Sequence, residues 1–115
     1  MRLMLPSDRK AEKRKIIEAN SRFVASLRKN DYIGCRKEIL AMKQSVDALN
    51  IIAYWAYTRC NTKLAKLAFK DAMNFSKYVD ICLFELIDTL IHSLTIENVA
   101  NDDIGQGTVN GDEAF

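Results

Sequence analysis

The sequence predicts an all-α protein: an antiparallel bundle of three long helices, or four should the third break, with a disordered acidic C-terminal tail. Pro6 is the only proline and Gly34 the only glycine before Gly105, so roughly a hundred residues run without the usual chain punctuation. That stretch is rich in Ala, Leu, Lys and Glu, all good helix formers. Nowhere does a period-two alternation persist with turn pairs between, as a sheet requires. At 115 residues the chain supports one domain and excludes a multidomain enzyme. The helical domain is assigned to residues 1–100 and the tail to 101–115, which holds four acids, three glycines and few apolar groups.

Helix 1 is expected to begin at Ser7, a good N-cap, with Asp8 opposing the macrodipole in the first turn. Its apolar positions are Ile16, Ile17, Phe23, Val24 and Leu27. It should stop near Asn30–Asp31, which can also cap the next helix. Helix 2 carries Cys35, Ile39, Met42, Val46, Leu49, Ala53, Ala56 and Cys60, spaced alternately four and three apart as in a heptad seam. Ala53 and Ala56 would let a neighbouring helix come close. Asn61–Thr62 is the next cap signal. Helix 3 repeats the seam with Ala65, Ala68, Ala72, Phe75, Val79, Cys82, Leu86 and Leu90. Beyond Val79 it adds Ile81, Leu83, Phe84, Ile87, Ile91 and Leu94, so apolar groups cover roughly 200° of its circumference. Its own two companions cannot shield so wide a face. The surplus around Ile81, Phe84, Ile87 and Ile91 is therefore assigned to an interface, and a homodimer or higher assembly is expected.

Motifs that would name a reaction are missing. Cys35, Cys60 and Cys82 are odd in number and form no C-x-x-C pair, which fits a reducing compartment and a cytoplasmic protein better than a disulfide framework. All three are read as small buried hydrophobes on helical faces. The only histidine, His92, lies ~15 Å from Cys82 along the same helix, too far to activate it. Glu85, Asp88 and His92 share one face at spacings of three and four, but no second Glu-x-x-His pair completes a di-metal site, and they read as a solvent stripe. No Gly-rich phosphate loop occurs. The chain is accordingly read as non-enzymatic, without cofactor or metal. Its apolar runs are too short to span a bilayer, and its first residues do not have the form of a signal peptide.

Charge is distributed unevenly. Residues 1–43 carry a net +7, residues 44–75 a net +2 and residues 76–115 a net −7. The basic end concentrates in Arg9, Lys10, Lys13, Arg14 and Lys15. Arg9 and Lys13 share a meridian with Ile16, Phe23 and Leu27, where a core cannot accept them. The first two turns are therefore expected to project past the bundle as a basic prong, either docking on an acidic protein surface or contacting nucleic-acid phosphates. Tyr54, Trp55 and Tyr57, with Arg59, form either an interaction hot spot or the cap of a helical hairpin, an exposed Trp55 favouring the former.

These features together point to a small protein that acts by binding another protein: an adaptor, assembly factor or inhibitor of the kind common in phages and mobile elements. The competing class is a nucleic-acid-binding or ribonucleoprotein accessory bundle that uses the basic helix. The identity of the protein partner is not encoded in any motif.

Overall fold

The computed structural model describes residues 8–102, and their side chains up to Thr95. The described residues form three helices: α1 (Arg9–Arg28), α2 (Tyr32–Thr58) and α3 (Thr62–Asp102). No strand interrupts them. The all-α bundle read from the sequence is the observed architecture. Residues 103–115, most of the expected tail, lie outside the described residues, and α3 runs two residues past the expected domain boundary at residue 100.

The two connections repeat one device. At the end of α1 the Asp31 N–H reaches back to the Ser26 carbonyl (2.8 Å) and the Asn30 N–H to the Leu27 carbonyl (3.1 Å). At the end of α2 the Asn61 N–H bonds the Ala56 carbonyl (2.9 Å) and the Cys60 N–H the Tyr57 carbonyl (3.1 Å). Each is a Schellman closure, satisfying carbonyls that a helix end would otherwise leave open. The pivots, Asn30 (φ 58°) and Cys60 (φ 60°), are left-handed. Asn tolerates that conformation, whereas Cys carries a cost of ~1–2 kcal/mol there. The residue after each pivot caps the next helix: Asp31 Oδ1 accepts from the Gly34 N–H (3.0 Å) and Asn61 Oδ1 from the Leu64 N–H (3.2 Å). Gly34 is required by this cap, since a Cβ there would stand 2.4 Å from Asp31 Oδ2.

Two expectations are corrected at these termini. The N-cap of α1 is Asp8, not Ser7, and its side chain makes no capping bond. Cys60 is not a buried hydrophobe; it is exposed, because the helix has already ended and the left-handed pivot turns it outward.

Burial follows the seams. Seven of the eight α2 positions, all but Cys60, are buried. On α3, Ala65, Ala68, Ala72, Val79, Cys82 and Leu86 are buried, with Phe75 and Leu90 packed partly against them. Ala53, Ala56, Ala65, Ala68 and Ala72 are all buried toward the end where the α2–α3 hairpin closes, a run of small side chains that suits close helix packing. From α1, Ile16, Ala19 and Phe23 enter the core, whereas Ile17 is exposed.

Helix α2 packs extensively on both neighbours, and α1 meets α3 along a narrow line. Hydrogen bonds fix the register. Arg22 Nε donates to Glu38 Oε1 at 2.9 Å across the antiparallel α1–α2 pair. Arg9 meets Asp71, and Asn20 meets Cys82, so α1 and α3 run parallel with a constant offset of 62 residues. By that offset the end of α1 lies level with Leu90. The last dozen or so residues of α3, ~18 Å of helix, overhang both companions. At the opposite end the α2–α3 hairpin stands beyond the first residues of α1. The molecule is accordingly elongated, 64 × 28 × 25 Å.

Candidate interaction surface

The basic prong is the first expectation to meet the structure, and it does not project. Arg9 forms an ion pair with Asp71 of α3, and Lys13 Nζ lies 3.6 Å from the other oxygen of the same carboxylate. The meridian they share faces Asp71 at that level, not apolar core, so a helix-long stem can lie along the bundle with its charged head paired. The inward position is taken instead by Glu12, which is buried and accepts from Lys15 Nζ at 3.2 Å. The five cations thus divide: Arg9 and Lys13 face Asp71, Lys15 faces Glu12, and Lys10 and Arg14 remain exposed.

The aromatic cluster is also divided. Trp55 is half-buried, with the Arg59 guanidinium 4.5 Å from its ring centroid, and its buried Nε1 has no acceptor among the described residues. Tyr54 meets Phe69 of α3 edge-to-face, with ring centroids 5.1 Å apart. Both contacts brace the closed end of the hairpin. Tyr54 and Tyr57 nevertheless leave most of their surface in solvent.

The thiols of Cys35 and Cys82 are pushed up by burial, and the Tyr78 phenol is raised by burial and then by neighbouring Cys82. Both thiols hold their protons at neutral pH and pack as apolar groups, with the Cys35 sulfur 3.9 Å from the Phe23 carbonyl oxygen. Glu85, Asp88 and His92 are all exposed, and among the described residues no group of three His, Cys, Asp or Glu side chains is placed to hold a metal. No helix among the described residues is long and apolar enough to cross a membrane.

The surplus apolar face of α3 is in the open. Ile81 is 59% exposed, Phe84 71%, Ile87 42% and Ile91 57%. At about 100° per residue, Phe84, Ile87 and Ile91 share a band ~60° wide with Lys66, Phe69, Met73 and Asp80. Ile81 flanks that band on one side and Leu94 on the other. The band runs nearly the whole described length of α3, on the surface turned away from α1.

Two of its residues, Phe69 and Met73, escaped the sequence reading. They stand before Val79, amid the alanines of the buried seam, and were signalled only by lying seven (Met73) and eleven (Phe69) residues before Asp80, at the same heptad spacing. They also line an open groove of about 920 Å³ at the hairpin tip, walled across by Tyr57, Thr58 and Cys60 of the α2 end. A smaller depression of about 320 Å³ continues along the same α2–α3 side, between Val46 and Val79.

Charge along the band is segregated. Its first half is flanked by exposed Lys63, Lys66, Lys70 and Lys77; the one acid there, Asp71, points the other way, toward Arg9. The second half carries exposed Asp80 and is flanked by exposed Asp88. Chemically, such a surface offers apolar area and long-range charge but no convergent acid, base or nucleophile. No family model, no curated protein and no solved structure matches the chain.

Proposed function

We propose that this is a non-catalytic binding protein, an adaptor, assembly factor or inhibitor, whose working surface is the outward band of α3. The observation that carries the reading is the exposure of Phe84, Ile87 and Ile91 in one line on a helix that outruns its bundle. Isolated exposed apolar residues are ordinary, whereas a continuous row of them rimmed by charge has the form of a helix-in-groove recognition surface. Anchors of this size contribute ~1.5–3 kcal/mol each on burial, enough to dominate an interface.

The basic helix supports a nucleic-acid reading less well, because Arg9 and Lys13 are already paired with Asp71. Phosphate binding would fall to Lys10, Arg14 and part of Lys15.

Tagged wild-type chain and the variant F84D/I91D, expressed in the source cell, separate the readings. Proteins retained by the wild type are expected to be lost from the variant, whose affinity should fall by about 100-fold or more. A set of retained proteins and a molecular mass both unchanged by F84D/I91D overturn the proposal. Retention abolished by nuclease and by K10E/R14E assigns the function to nucleic acid instead.

A further inference from the structure

We infer that the occupant of the α3 band is the same band of a second copy, lying antiparallel about a two-fold axis between Lys77 and Asp80. The inference rests on the reading of that band as a binding surface and names its partner. Three observations select it.

The first is charge. The band is basic from Lys63 to Lys77 and acidic from Asp80 to Asp88. Antiparallel pairing lays each basic half on the other copy's acidic half, bringing Lys77 opposite Asp80 and Lys70 within one residue's rise of Asp88. Parallel pairing lays lysine on lysine, which costs affinity and suppresses that arrangement. Few external partners would be so well matched to both halves at once.

The second is apolar register. With the axis there, Met73 of each copy falls level with Phe84 of the other, so two exposed apolar side chains cover each other. The overlap from Lys66 to Ile91 is ~39 Å of helix. Such a length suits a standard-sized interface of ~800 Å² per partner.

The third is shape. Among the described residues, the overhanging end of α3 has no companion helix, and neither does the α2–α3 tip beyond the start of α1. In the antiparallel pair the overhang of each copy crosses the tip of the other, over the groove bounded by Tyr57 and Phe69. Each copy lays a helix on the end that the other's described residues leave uncovered, and the contact closes on itself as an isologous dimer.

Sedimentation equilibrium on the full chain and three charge variants, from about 1 to about 100 μM, tests this. The wild type is expected to dimerise. K70E/K77E places acid on acid and D80K/D88K places base on base, so each should weaken the dimer by about tenfold or more. The fourfold variant K70E/K77E/D80K/D88K restores opposite charges across the axis and should recover the wild-type constant to within about threefold. All these positions are exposed, and circular dichroism confirms that each variant folds. A wild type that stays monomeric throughout, or a fourfold variant as weak as either double, overturns the inference. If the wild type is monomeric while F84D/I91D still loses its captured proteins, only the second copy is discarded and the binding surface stands. If F84D/I91D changes neither mass nor capture, both are discarded.

Discussion

Phe23→Ala is expected to lower the unfolding free energy by about 3–5 kcal/mol, measured by urea denaturation followed at the helical circular dichroism band. Phe23 is the largest fully buried side chain, 1% exposed, and it sits where α1 lies on α2 beside Cys35. Truncation removes the transfer free energy of the ring and leaves a void in the buried cluster that Phe23 shares with Ile16 and Ile39. A domain of this size has only about 5–15 kcal/mol to lose, so the change is a large fraction of the whole. Because α1 meets α3 only along a narrow line, its attachment depends on α2. A loss below about 1 kcal/mol would show that α1 is not seated there.

Ala68→Leu is expected to destabilise by about 1–3 kcal/mol in the same assay. Helix propensity alone makes this exchange nearly neutral, since Ala and Leu are both among the best helix formers. Packing decides against it. Ala68 is fully buried in the small-residue seam, facing a run of α2 that holds Ala53 and Ala56 with no exposed surface of their own. Three extra carbon atoms must either force rotamers or separate the two helices at the hairpin tip. An unchanged midpoint would mean that the tip is loosely packed and that the alanines there are incidental.

Much of the fold was legible because local rules and the global fold agree. The seams of α2 and α3 read directly as burial, and Asp31 and Asn61 cap the helices that follow them. What was not legible is what each stretch of a helix face meets. The wheel placed Arg9 and Lys13 on the inward meridian, and a core cannot take bare cations. The resolution was a single acid 62 residues from Arg9 on another helix, Asp71, which no local pattern could tie to them. Cys60 followed the heptad spacing to its last step, yet the helix ended two residues earlier and the spacing lost its meaning.

The surface was legible only in part, for a related reason. Phe84, Ile87 and Ile91 stood out because apolar residues crowd that part of α3 on every side. Phe69 and Met73 did not, since the alanines beside them already accounted for the local periodicity. The band is uncovered because it is turned away from α1, and the overhang past Leu90 is set by the relative lengths of α1, α2 and α3, 20, 27 and 41 residues, together with their register. Periodicity gave helix lengths, but not the offset at which they stack.

The most direct measurement is the mass of the chain by light scattering at about 50 μM, taken beside that of F84D/I91D. The wild type is expected at about 26 kDa, twice the single-chain 13.1 kDa, and the variant at the single-chain value with unchanged helix content. Equal masses for the two proteins would contradict the account, because the apolar band would then hold nothing together.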